Sequence, residues 1–466
     1  MLFNSIDFVI FLPIVLALYW LVVKKYQNLV LLAASYFFYG WWDWHFLALI
    51  LFSSLVDYNV AKQLEITLNP SKRKVLLYIS ICTNLGLLGF FKYFNFFAEN
   101  FVEAFTILGY KLPAYRLDII LPVGISFYTF QTLSYTIDVY RKKIHPTKSV
   151  ITFLAFVSFF PQLVAGPIER AANLIPQFLK PRDYDKNQFF LGIRLILWGA
   201  FLKIVVADRA AIYVNTVYNN VENHDGLTFI IATILFSFQI YGDFAGYSLI
   251  AIGTAKLFNL NLMTNFNRPY FSSSIREFWQ RWHISLSTWF RDYLYIPLGG
   301  NRRSKPRWLL NILITFVISG LWHGANWTFI AWGSLNGLYI IIELVFLKKI
   351  RLGIINVFFT FLAINFSWIF FRANNIKEAI EIIQDIIFKP GNIFIGSGDD
   401  IASSIYAFIA VFLLLLVEIK DEYFSTYSSI TNNKYQIIRL SAYSILIFII
   451  IYLGVFNDNQ FIYFQF

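Results

Sequence analysis

The chain has 466 residues, 58% of them hydrophobic, 20% aromatic and 14% charged, with a formal net charge of +11. Soluble domains carry roughly a quarter charged residues, so this composition, with a mean hydropathy of +0.60, excludes a soluble domain and indicates an all-α polytopic membrane protein. The positive charge does not indicate a nucleic-acid partner. It is gathered at Lys24-Lys25, Lys72-Arg73-Lys74, Arg141-Lys142-Lys143, Arg302-Arg303 with Lys305 and Arg307, and Lys348-Lys349 with Arg351, each beside an apolar stretch, as the positive-inside rule arranges cytoplasmic loops. One cysteine, Cys82, excludes an internal disulfide framework or a cysteine-rich metal site and reads as small apolar filler.

A hydrocarbon core of about 30 Å takes about 20 apolar residues. Such stretches fall at 6–23, 27–42, 44–60, 75–97, 119–139, 189–212, 228–256, 326–347, 352–371, 403–419 and 437–456, which predicts about 11 transmembrane helices. The first reads as a retained span, because residues 1–7 carry no basic group and no small-residue cleavage site precedes Lys24. Shorter or interrupted stretches lie at 150–168 and 308–322. If every basic cluster faces one side, 150–168 must re-enter, helped by Pro161 and Gly166-Pro167, and 308–347 must dip and return. At 1.5 Å per residue 308–322 reaches only about 23 Å, which places His323 near the turn of a buried hairpin. The polar regions 98–118, 169–188, 257–307 and 372–402 are too short for a separate core of about 50 residues, so residues 1–466 read as one membrane domain.

Two of the polar regions hold amphipathic patterns. Ile376, Ala379, Ile380, Ile383, Ile386 and Ile387 recur at helical spacing, predicting a helix lying on the outer surface. Over 275–294, Ile275, Phe278, Trp279, Trp282, Leu286, Trp289, Phe290 and Tyr293 fill one helical face, opposite Glu277, Gln280, Arg281, Thr288 and Arg291. Ser272 to Ser274 offer N-caps and Pro297 with Gly299-Gly300 ends the segment. That pattern predicts a single interfacial helix with His283 at the edge of its apolar face.

Of the five histidines, His45, His145 and His224 fall in polar or aromatic turns and read as solvated loop residues. His283 and His323 lie in segments dense in tryptophan, glycine and serine beside the membrane interior. An ionisable group at membrane depth is a functional hypothesis by default. Neither histidine has a partner at metal-ligand spacing. Gly124-Ile125-Ser126-Phe127-Tyr128 fails the nucleophile-elbow pattern at its last position, which disfavours a serine acyl-enzyme. A histidine base acting directly on a thioester needs only an oxyanion donor and positioning; Trp322, Trp327 and Arg281 are donors of the right kind, and nothing in the sequence selects among them.

The segment Arg276 to Gly300, containing Arg281-Trp282-His283, resembles the signature of the membrane-bound O-acyltransferase family, in particular its alginate O-acetylation branch. So do Met1-Leu2-Phe3-Asn4-Ser5 with Phe11-Leu12-Pro13, Phe159-Phe160-Pro161-Gln162-Leu163-Val164-Ala165-Gly166-Pro167-Ile168, Tyr241-Gly242-Asp243-Phe244-Ala245-Gly246-Tyr247-Ser248 and Gly320-Leu321-Trp322-His323-Gly324. After about residue 350 only hydropathy matches. The resemblance implies a ring of tilted helices around a central tunnel, His323 as the catalytic histidine and His283 as its companion. Arg281, Trp282, Trp322, Asn326, Tyr241 and Asp243, all in or beside these motifs, are the substrate-binding candidates. The implied donor is acetyl-coenzyme A, its phosphates drawn to Arg281, Arg291, Arg302 and Arg303, with no bound metal or cofactor. The implied acceptor is a cell-envelope glycan, reached through an extracytoplasmic esterase-like O-acetyltransferase partner, and the implied location is the lipid of the bacterial inner membrane. The alternatives are D-alanyl transfer to teichoic acid, a transporter of an anionic lipid or glycan in which His323 relays protons, and a non-catalytic scaffold.

Overall fold

The computed structural model describes every residue except 111, 114–115, 165, 347–352, 397–399, 425–434, 457–460 and 463–466. The basic cluster Lys348, Lys349 and Arg351, and Ala165 of the 159–168 run, lie outside the described residues. Among the described residues every regular element is helical. Eight helical stretches of the described residues are long and apolar enough to cross a bilayer: Lys24–Ile66, Pro70–Ile107, Lys186–Tyr218, Gly226–Leu257, Trp327–Phe346, Ile354–Arg372, Ile401–Tyr423 and Gln436–Leu453, with shorter apolar helices at Ile6–Leu21 and Val150–Leu163. The chain is a polytopic membrane protein. Lys24–Ile66 takes in two of the expected spans, 27–42 and 44–60, which meet at a tight turn over Trp44–Phe46. The expected span at 119–139 becomes helical only at Ile125, because Pro122 and the left-handed Gly124 (φ 74°) hold the preceding segment irregular.

The chain divides into two compact units, Met1–Gly192 with Thr254–Met263, and Ile193–Gly253 with Thr264–Phe466. In the first, Phe38, Phe153, Phe156, Phe159 and Phe160 are fully buried. The helix at 150–158 breaks at Phe159 and restarts over Phe160–Leu163 with Pro161 in its first turn. Asp57 is a buried carboxylate in this apolar setting that its neighbours serve: it accepts from Ser80, from Thr136 (3.2 Å) and from Asn84 (2.8 Å), and Thr132 donates to Asn84 (3.0 Å). Cys82 is exposed on the Pro70–Leu88 helix, contrary to the filler role.

In the second unit, glycines bring helices together. A Cβ on Gly199 would stand 2.6 Å from the Gly246 oxygen, and one on Gly246 would stand 2.7 Å from the Gly199 oxygen. This close approach seats Lys203, in the π-helical turn Phe201–Ala207, between Asp208 (2.8 Å) and Asp243 (2.7 Å), all nearly inaccessible. The same device builds the hairpin of Lys305–His323 and Trp327–Phe346, where a Cβ on Gly320 would meet the Phe329 oxygen at 2.2 Å and one on Gly333 the Phe316 oxygen at 2.3 Å. The first arm has 19 residues, about 28 Å, so it is longer than the 308–322 stretch suggested, because polar residues at its start join the helix.

The single helix expected over 275–294 is broken. Ile275–Arg281, capped by Ser274, which accepts from the Glu277 amide at 3.1 Å, stops at Trp282; His283 adopts left-handed φ 42°, and Ile284–Phe290 resumes. Asn265 is the cause: its carbonyl oxygen accepts from the Ile284 amide (2.9 Å) and its Oδ1 from the Ser285 amide (3.3 Å), capturing the first amides of the second helix and turning the chain. Most of this segment's apolar face is buried in protein, with Trp282 and His283 each 1% exposed and Trp279 and Tyr293 half-buried, so His283 lies inside the protein rather than at the edge of an interfacial helix. The Ile376–Phe388 helix is present, capped by Asn375 through the Glu378 amide (2.9 Å), with Ala379 and Ile382 buried.

Candidate functional site

His323 ends the first arm of the hairpin, where Gly324 follows in extended conformation and a side chain on that glycine would strike the Phe329 ring. Its imidazole, 3% exposed, touches three aromatic rings: Trp322 at 5.0 Å between centroids, Trp332 at 5.1 Å and nearly perpendicular, and Phe371 at 5.5 Å. His283 packs against Phe244 at 4.5 Å and also reaches Trp322 at 6.2 Å. The two motif histidines, forty positions apart in sequence, therefore share one buried aromatic cluster through the indole of Trp322. Trp282 forms part of the same wall, stacked on Phe278 and packed 5.2 Å from Trp368.

Geometry fixes the state of His283. The Ser285 backbone N–H can only donate, so the Asn265 side-chain atom it reaches is the oxygen. His283 Nδ1, 3.0 Å from that oxygen, must then carry the ring proton and donate it. Burial pushes the imidazole down to about 3, so it is neutral, with Nε2 as the basic nitrogen. Ser285 Oγ adds a second donor to Asn265 Oδ1 (2.9 Å), and Asn265 Nδ2 donates to Ser248 Oγ (3.0 Å), locking the amide. The left-handed backbone of His283 is the kind of local strain that functional sites retain.

The remaining sequence candidates take other places. Arg281 is clasped by Glu277 (2.6 Å) and Glu422 (2.8 Å), and Glu422 also binds Arg268 (2.7 Å). Burial opposes the Arg281 charge, but the Glu422 and Glu277 carboxylates outweigh it and raise its pKa. Its charge is thus largely met within the protein. Arg291 pairs with Asp292 (2.8 Å), while Arg302 and Arg303 are exposed. Tyr241 donates its hydroxyl to the buried Glu418, its ring 6.2 Å from Trp282. Asp243 holds Lys203 and accepts from the Ile462 amide (2.6 Å). Asn326 caps the second arm, accepting from the Thr328 amide (3.0 Å) and donating to the Asn374 oxygen (2.9 Å). His45 and His145 are exposed and pair with Asp43 and Glu65, while His224 is half-buried against Phe394.

Sequence reasoning missed Asn265, Trp332, Trp368 and Phe371. The tryptophans had a weak signal, their placement in long apolar helices beside the motif, but nothing short-range pairs Asn265 with His283. Among the described residues, no group of three histidine, cysteine or carboxylate side chains is set to hold a metal ion. What the pocket offers is a neutral, oriented imidazole, a second buried imidazole and a dense wall of rings, suited to moving a proton at an ester or thioester away from bulk water.

The membrane-bound O-acyltransferase family model matches residues 46–372, a range that holds every side chain of the pocket. The chain is 40% identical over 386 residues, 81% of its own length and 79% of the other, to the probable alginate O-acetylase AlgI of Pseudomonas putida. It is 34% identical over 430 residues, 83% of this chain and 80% of the other, to the peptidoglycan O-acetyltransferase of Helicobacter pylori. To the teichoic acid D-alanyltransferase of Streptococcus thermophilus it is 29% identical over 244 residues, 49% of this chain and 58% of that one. With its apolar spans and this similarity, the chain belongs to the membrane-bound O-acyltransferase family and is a multi-pass membrane O-acyltransferase.

Proposed function

We propose that the protein passes an acetyl group from cytoplasmic acetyl-coenzyme A through the membrane towards an extracytoplasmic cell-envelope glycan, with His323 as general base and His283 as its oriented companion. The observation that carries this reading is the meeting of both motif histidines around Trp322 in one buried aromatic pocket. As an acceptor hydroxyl attacks the thioester carbonyl, His323 takes its proton and returns it to the leaving sulfur. Trp322 and Trp282 bound the acyl group; Tyr241, Asp243, Asn326 and Arg281 hold the surrounding helices and the mouth of the site in place. The exposed Arg302 and Arg303, freer than Arg281, meet the donor's phosphates.

Residues 1–466 act as one acyltransferase domain in the bacterial cell membrane, with about eleven crossings in a ring around a tunnel that joins the donor and acceptor sides. An alginate-like glycan or peptidoglycan is the acceptor class favoured by the relatives with broad coverage. An extracytoplasmic esterase-like partner completes the transfer, docking near 98–118 and 372–402.

The test is acyl transfer by purified protein in liposomes, offered acetyl-coenzyme A or a D-alanyl carrier protein, with the wild type and His323→Ala. Acetyl release that depends on His323 is the expected result. Turnover of the D-alanyl carrier alone would move the function to teichoic acid, and full acylation by a folded His323→Ala protein would overturn the enzymatic role of His323.

A further inference from the structure

The Trp327–Phe346 helix carries an unusual buried face. Thr328, Trp332 and Asn336 follow at intervals of four, over about 12 Å of helix, and are 1%, 1% and 0% exposed. Each holds a polar atom with no hydrogen-bond partner among the described residues: Thr328 Oγ1, Trp332 Nε1 and Asn336 Oδ1. An unmet buried polar group costs about 1–3 kcal/mol, so three on one face, the middle one packed on His323, call for a ligand.

Trp332 is the one in contact with His323, their rings 5.1 Å apart and at 88°. Its own ring cannot turn away easily. It is stacked on Trp368 at 5.7 Å and 17°, and edged by Phe371 at 5.1 Å and Trp279 at 5.6 Å. An indole N–H donates and never accepts, so a fixed indole in a dry pocket beside a base is matched to an oxygen that gains negative charge. Two of the donors considered from sequence fit less well, for Trp327 is 53% exposed and Arg281 is held by two carboxylates.

We propose that Trp332 is a further catalytic residue whose Nε1–H stabilises the oxyanion of the acyl-transfer intermediate, with Thr328 and Asn336 binding the hydrogen-bonding groups that flank the reacting thioester carbonyl. This rests on His323 being the base, as proposed above. The acceptor oxygen forms a bond to the carbonyl carbon as its proton passes to His323. The carbonyl π electrons move onto oxygen, where the Trp332 N–H meets them. Collapse restores the C=O bond, breaks the C–S bond, and the sulfur leaves with the proton from His323.

Two variants test it: Trp332→Phe, and replacement of Trp332 by benzothienylalanine, which keeps the bicyclic shape but lacks the N–H. Both are compared with wild type and His323→Ala for kcat and KM towards acetyl-coenzyme A, and for thermal unfolding in detergent. The expected result is a fall in kcat of about 10²–10³-fold in both variants, with KM changed little and the benzothienyl protein melting as wild type does. Near-normal kcat in the benzothienyl protein, whatever Trp332→Phe does, reduces Trp332 to packing and overturns the inference while His323→Ala remains inactive. Activity retained by His323→Ala would instead remove the reading on which it rests.

Discussion

Asn265 can be changed in two ways that separate its mechanical and electrostatic effects on His283. Its Oδ1 accepts from His283 Nδ1 (3.0 Å), the Ser285 amide (3.3 Å) and Ser285 Oγ (2.9 Å), and its Nδ2 donates to Ser248 (3.0 Å). Asn265→Leu removes all four at similar volume. Hydroxyls and the imidazole can turn to new partners, but the Ser285 amide is fixed in the backbone, so the expected loss is one stranded buried donor and part of the other bonds, about 2–4 kcal/mol. Asn265→Asp keeps the acceptor set, loses the bond to Ser248, and places a negative charge against the ring proton.

Burial holds His283 down to about 3, below its unfolded value of about 6.5. The folded protein thus binds the neutral ring. Its stabilising contribution is fully present above pH about 6.5 and is lost as pH falls towards the folded value, by about 1.4 kcal/mol per pH unit. A carboxylate beside Nδ1 favours the imidazolium and raises the folded value by about 1–3 units. Between pH 6.5 and 5 the Asp variant should therefore lose stability less steeply than the wild type, and its kcat should acquire an acid limb within the measurable range. Thermal unfolding in detergent and kcat against pH read the two effects. A Leu variant as stable as wild type, or an Asp variant whose profiles superimpose on it, would refute the assignment of tautomer and neutral state.

Two further outcomes follow from the packing of the same unit. Lys203→Met leaves Asp208 and Asp243 buried without the ammonium that binds both; a destabilisation of about 3–5 kcal/mol is expected by thermal unfolding, with part of it recovered when Asp243→Asn is added, and no recovery would show that the charges are not the cause. Gly320→Ala places a Cβ 2.2 Å from the Phe329 oxygen, so the hairpin must open at an overpacking cost of about 1–3 kcal/mol, and acyl transfer should fall because His323 rides on the same turn; Gly86→Ala, where an added Cβ meets nothing within 4 Å, is the control expected to melt and turn over normally.

The break at His283 shows where local reading fails. From Ile275 to Tyr293 the apolar spacing fits one uninterrupted helix, and each residue taken alone favours it. The turn is imposed by Asn265, whose oxygens capture two amides that a continuous helix would have bonded internally. An asparagine eighteen residues upstream leaves no mark on hydropathy or periodicity. Arg281 fails for a related reason. As a sequence position it is a free cation beside an apolar stretch, but Glu422, 141 residues away, already occupies it.

The membrane class, the helical architecture, the two motif histidines and the family were all written in the sequence, because hydropathy, charge placement and short ordered motifs are properties of neighbouring residues. The hairpin turn at His323 was legible too, since basic clusters flank both ends of 308–347 and the 308–322 stretch is short. What only the tertiary structure decided is the site itself: that Trp322 joins His283 to His323, that Asn265 fixes the tautomer of one, and that Trp332 packs edge-on against the other. These depend on helix crossings set by glycines and on hydrogen bonds between distant segments, and such directional, long-range contacts are not encoded in any local pattern of the chain.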